Sequence, residues 1–186
     1  MEAVAIDTTK TWTVEEYLQL EENPNQQLIK GNLIMSPSPS LFHQQISIEL
    51  SVILLKHAQK LKDKVYAAPI DVFLDEHNVP QPDLVYVKQE NKNKLSKRGV
   101  EGAPDLVVEI ISSSDGYIDW YDKKELYQKH KINEYWILDP GNLAITIFQF
   151  VKDKYVLAQH LVAEGKIKSP LLPTLAVDLA QLFDEE

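Results

Sequence analysis

Two periodicities run along this chain, and their meeting point organises the rest. From Leu106 to Ile111 an extended segment would place Leu106, Val108 and Ile110 on one face and Val107, Glu109 and Ile111 on the other, with Asp105 at its start. So apolar a run predicts a strand covered on both faces, where an ionised carboxylate is costly unless it is paired or binds a metal. Glu109 therefore needs a compensating group. Downstream, Asp119, Lys123 and Tyr127 recur at i, i+4 and i+8 on a helix predicted over 117–131.

The same reading places the other elements. Thr13 ahead of Val14, Glu15 and Glu16 reads as the N-cap of a short helix through Leu20. The stretches 27–29 and 33–35 flank Lys30-Gly31-Asn32 as a hairpin, and the Pro37/Pro39 segment is a loop. Ile46, Leu50, Ile53, Leu54, Ala58 and Leu61 recur at helical spacing, predicting a long helix over 42–61. Strand-like runs follow at 64–74, interrupted by Pro69, and at 82–87. The polar stretch 88–98 carries Lys88, Lys92, Lys94, Lys97 and Arg98 against Glu90, and reads as a solvated loop or a phosphate-contacting arm. A strand at 134–139, a hairpin of 143–150 with 155–162, and a weakly amphipathic helical tail at 175–183 complete the chain. Strands and helices interleave around a mixed sheet, so the class is α/β or α+β.

Composition narrows the function. At 186 residues the chain fits one domain over 1–186. The absence of cysteine excludes disulfides, thiolate metal sites and a cysteine nucleophile, and fits a reducing cytoplasm. The N-terminus does not read as a signal peptide, and no apolar run approaches a membrane span. A net charge of −9 argues against broad non-specific nucleic-acid binding while leaving room for a local basic cleft. The phosphate-loop, dinucleotide, serine-hydrolase and HExxH signatures are absent. His43, at the mouth of the long helix, reads as a functional group or as a capping or solvent-facing residue.

Asp83 opens one apolar strand and Glu109 sits inside another. If those strands are neighbours the two carboxylates converge, and hard oxygen ligands of this kind suit Mg²⁺. Lys123 is then placed to orient a water or stabilise developing charge. The bland alternative is equally concrete: Glu109 and Lys123 form a buried ion pair, Asp83 and Asp105 cap turns, Asp119 and Lys123 are an ordinary helix pair, and Tyr127 and Trp136 are core aromatics.

Pro82-Asp83 followed by Glu109-Ile110 resembles the PD-(D/E)XK nuclease superfamily. More closely, 102–112 (GAPDLVVEIIS) with Asp119, Lys123, Tyr127 and then 134–140 resembles the Uma family of restriction-endonuclease-like proteins, over about 13–182. The resemblance implies a restriction-endonuclease-like fold with flanking helices and an added C-terminal hairpin. It also implies Asp83, Glu109 and the Ile110 carbonyl as ligands of Mg²⁺ (or Mn²⁺), catalytic roles for Asp83, Glu109 and Lys123, nucleic acid (DNA) as substrate, and a homodimer. Asp119 and Tyr127 would support that centre. Two departures stand out: Ile111 occupies the usual lysine position, which maps that role to Lys123, and Gln27 replaces an acidic residue, for which Glu49 is a stand-in. The alternatives are a catalytically degenerate nucleic-acid- or protein-binding module of the same fold, and a scaffold whose 143–162 hairpin pairs with another copy.

Overall fold

The computed structural model describes residues 10–20, 25–111 and 117–184. Its elements are α1 (Val14–Tyr17), β1 (Gln26–Ile29), β2 (Asn32–Met35), α2 (Leu41–Leu61), β3 (Lys64–Ala67), β4 (Val72–Phe73), β5 (Leu84–Val87), β6 (Val100–Glu101) and β7 (Leu106–Ile110). A π-helical turn (Ile118–Lys123) then leads into α3 (Lys124–Lys129), followed by β8 (Glu134–Asp139), β9 (Ala144–Val151), β10 (Lys154–Val162), β11 (Lys166–Ile167), β12 (Val177–Asp178) and α4 (Leu179–Leu182). Among the described residues, no helix is long and apolar enough to cross a membrane.

The centre is a mixed six-stranded sheet of order β10-β9-β8-β7-β5-β3. Only β7 and β8 run parallel; each other neighbouring pair is antiparallel. The alternation of β7 divides its side chains as the sequence requires. Leu106, Val108 and Ile110 join Leu84, Tyr86 and Trp136 under the inner face of α2, where Ile46, Leu50, Leu54 and Ala58 are buried. Val107 faces the other way, into a second core with Leu126, Tyr127, Tyr135, Ile137 and Ile29. Trp136 is a core aromatic, and its Nε1 donates to the buried Glu134 at 2.9 Å.

Local chemistry sets the element boundaries. Thr13 caps α1 in a reciprocal capping box with Glu16, and Ser40 caps α2 by accepting from the His43 amide. Gly31 turns the β1–β2 hairpin at φ +76°, where a Cβ would collide with the Thr11 side chain.

Three expectations are corrected. The first helix stops at Tyr17 rather than Leu20. The run 64–74 is two strands in different sheets: β3 pairs with β5, whereas β4 pairs with β6, because Pro69 offers no amide to continue a ladder. The tail at 175–183 is not one helix, for β12 pairs with β11 up to Asp178, which then caps the single turn of α4 by accepting from the Ala180 amide.

Asp75 ties the turn before β5 to the end of α3. Its Oδ1 accepts from the His77 amide and from Asn78 Nδ2, and its Oδ2 lies 3.0 Å from both Lys129 Nζ and His130 Nε2. Burial alone would raise this carboxyl, but those donors outweigh it and hold it below the usual carboxylate range. A carboxyl depressed in the folded state contributes stability above its unfolded value of about 3.9, lost as pH falls below it. Urea unfolding across pH is therefore expected to show wild type more stable than Asp75→Asn near neutrality, with the gap closing below about pH 4.

Candidate metal and catalytic site

The antiparallel register of β5 and β7 pairs Leu84 with Val108 and Val85 with Val107. One step further along it, Asp83 falls opposite Glu109, so two carboxylates meet at the end of neighbouring strands. Asp83 is held from both sides: its Oδ2 accepts from the Ile110 amide at 2.7 Å, and its Oδ1 lies 3.0 Å from His43 Nε2 in the first turn of α2. The Asp83 side chain remains one-fifth exposed and His43 13% exposed, so this corner is open to solvent.

Glu109 lies deeper, 3% exposed. Its Oε2 accepts from Lys123 Nζ at 2.8 Å and its Oε1 from the Tyr127 hydroxyl at 2.7 Å. Lys123, itself 4% exposed, also reaches Asp119 Oδ1 at 3.0 Å. The segment carrying these groups is not wound as the i, i+4, i+8 spacing predicts: Ile118–Lys123 is π-helical before α3 begins. The wider turn still directs Asp119 and Lys123 inward, and the Tyr135 hydroxyl donates to the Asp119 carbonyl at 2.9 Å.

The electrostatics follow from this packing. Burial raises the Glu109 carboxyl, and the Asp119 and Asp83 carboxylates raise it further, against the pull of Lys123. Burial would strip the Lys123 proton, but Asp119 and Glu109 override it and hold the ammonium charged, above its ordinary value. Burial likewise raises the Tyr127 hydroxyl, so it stays a donor to Glu109. Three carboxylates, Asp83, Glu109 and Asp119, thus share one lysine, leaving the cluster short of positive charge.

The structure brings together the residues singled out in the sequence: Asp83, Glu109, Lys123 and Ile110, with Asp119 and Tyr127 in support. Ile110 meets Asp83 through its amide. The ion-pair alternative is geometrically present too, since Lys123 bridges Glu109 and Asp119. Asp105 is a turn residue, accepting from the Lys88 amide and Asn91. Glu49 is elsewhere: it accepts from Gln45 and lines a cleft with 176–178, Gln181 and Leu182. Gln27 is buried and accepts from the Gln81 amide at 3.3 Å, bracing the strand entry two residues before Asp83. His43 is the group that sequence reasoning undervalued. Within 88–98 the basic side chains are partly tied down, Lys94 to the Ala103 carbonyl and Arg98 to Glu101.

A mixed sheet flanked by α2 and α3, with an acidic pair at the ends of adjacent strands, defines a restriction-endonuclease-like fold. A solved structure described as a putative nuclease belonging to DUF820, from Anabaena variabilis, shares it: the TM-score is 0.76 at 18% identity, over 92% of this chain and 97% of that one. The chain belongs to the Uma2 family, described as "Putative restriction endonuclease", whose profile matches residues 14–180. Among curated proteins none matches it.

Among the described residues, no group of three or more His, Asp or Glu side chains could by itself hold a metal ion. The donor set instead fits a cation that takes one or two carboxylates and keeps several waters, as Mg²⁺ does. The charge deficit of the Asp83–Glu109–Asp119 cluster is of the sign such an ion would offset.

Proposed function

We propose that this chain is a divalent-metal-dependent endonuclease that hydrolyses phosphodiester bonds of nucleic acid, with DNA the substrate implied by the family description. The observation that carries the reading is the solvent-open corner where Asp83 meets Glu109, three carboxylates against one ammonium. Asp83 and Glu109 would hold Mg²⁺ or Mn²⁺, with the Ile110 carbonyl as a third donor. Bound there, the ion would polarise a phosphoryl oxygen and acidify a water.

The chain's own groups supply the rest. Lys123, fixed by Asp119, would present its ammonium to the attacking water and to charge developing on phosphorus. Tyr127 would fix the Glu109 carboxylate by donating to one oxygen. His43 would hold the rotamer of Asp83 from the α2 side. The working unit in this reading is one domain over 1–186, cytoplasmic and homodimeric.

The test pairs calorimetric titration of Mg²⁺ and Mn²⁺ with cleavage of supercoiled plasmid and single-stranded substrates. Wild type is expected to bind metal and cut only with it. Asp83→Asn, checked for folding by circular dichroism, is expected to lose both. Metal-dependent cleavage that survives Asp83→Asn undiminished would remove Asp83 from the site.

One observation favours a second reading, a non-cleaving nucleic-acid- or protein-binding module of the same fold: Lys123 and Tyr127 already satisfy both Glu109 oxygens. Metal-independent retention of nucleic acid, weakening steeply with salt and unaccompanied by cleavage, would support it.

A further inference from the structure

The outer face of α2 has a pattern that neither the fold nor the candidate site uses. A surface helix normally turns charged and polar residues to solvent. Here Leu41 is 92% exposed, Ile48 62%, Val52 43% and Leu55 44%. These are not scattered. Leu41, Gln45, Ile48, Val52, Leu55 and Gln59 follow one another at alternating steps of four and three, the spacing of a seam between two packed helices. The core side of the same helix, at Leu50 and Leu54, is fully buried, so α2 carries one apolar stripe inward and a second outward.

We infer that the outer stripe of α2 is a homodimer interface, in which α2 packs antiparallel against α2 of a second copy. The inference does not depend on the nuclease reading.

Charge selects that occupant. Among its carboxylates and lysines, α2 has Glu49 in its first half and Lys56 and Lys60 in its second. Reversing one copy about a two-fold axis near residue 50 sets Ile48 of each against Val52 of the other. It also brings Glu49 of each within reach of Lys56 of the other and opposes the helix dipoles. A parallel arrangement faces Glu49 and Lys56 with uncharged Gln44 and Ser51 instead.

Area sets the strength. A 21-residue helix offers a face about 30 Å long and 10 Å wide. The adjoining cleft, lined by Ile53, Ala176, Val177 and Leu182, extends it. Stable complexes bury about 800 Å² per partner, and this surface reaches the low end of that class. The expected dimer is therefore reversible and micromolar.

Sedimentation velocity over a concentration series tests this, with folding of each variant checked by circular dichroism. Wild type is expected to pass from monomer to dimer. Ile48→Lys, and independently Val52→Lys, should weaken the dimer by at least about tenfold, because each buries an ammonium in the seam. Glu49→Lys and Lys56→Glu should each weaken it, and the double variant should regain wild-type association, since the swap restores opposite charges only between antiparallel copies. A monomer at every concentration would overturn the inference and leave the stripe to another partner. So would a dimer indifferent to Ile48→Lys, as one formed through the β10 edge would be, or a double charge swap that fails to restore association.

Discussion

Lys123→Met is expected to destabilise the protein by about 3–5 kcal/mol in urea unfolding, a large share of the 5–15 kcal/mol typical of a domain. Methionine retains most of the stem that packs between β7 and α3, so the loss isolates the ammonium rather than the volume. With that charge gone, Glu109 and Asp119 face each other in a site where Glu109 is 3% and Asp119 6% exposed. The lysine now sits 2.8 Å from one and 3.0 Å from the other, so both carboxylates lose the same counter-charge. Adding Glu109→Gln to Lys123→Met should recover part of the loss, because the two substitutions act on one network and will not add. A cost below about 1 kcal/mol for Lys123→Met would mean that solvent or another cation already compensates the pair.

Glu109→Gln is expected to do the reverse: to keep the fold and abolish the metal site. The amide preserves the shape of the side chain, and the Tyr127 hydroxyl, able to donate or accept, can turn to meet it. Lys123 keeps Asp119 at 3.0 Å as its counter-ion, so no buried charge is stranded. What disappears is an anionic oxygen donor. Substitutions in the outer shell of a metal commonly cost 10–100-fold in affinity, so removing a direct ligand should exceed about 100-fold and take metal-dependent cleavage with it. Unchanged Mg²⁺ binding by a folded Glu109→Gln protein would make Glu109 a structural partner of Lys123 and bring the binding-module reading forward. The two substitutions thus divide stability from chemistry within one four-residue cluster.

How much of this the sequence shows depends on range. The demand placed on Glu109 is local: a carboxylate in an apolar strand must find a partner, and the face shared by Asp119, Lys123 and Tyr127 supplies one. Both sides of that pairing are visible in the residues. The meeting of Asp83 with Glu109 is not, because it depends on β5 and β7 being neighbours, and the strand pattern says only that each has two covered faces. His43 is harder still. It lies 40 positions before Asp83, and nothing in its surroundings separates a helix-mouth histidine from one aimed at a carboxylate. The π-helical turn was hidden for another reason: the i, i+4, i+8 spacing is satisfied by an ordinary helix, so no residue signals the wider winding. Pro69 marks a break, but the departure of β4 to a different sheet reflects its pairing with β6, beyond local pattern.

The Ile110 amide that holds Asp83 and the Glu109 side chain belong to consecutive residues of one strand. A one-residue slip of β7 against β5 would carry Glu109 toward the core beneath α2 and move that amide out of reach of Asp83. Misregistered molecules would keep their composition, much of their secondary structure and their mass while lacking the acidic pair. The stoichiometry of a metal titration on this protein would therefore count correctly registered molecules, so a value short of one ion per competent site would reveal a folding defect in the preparation.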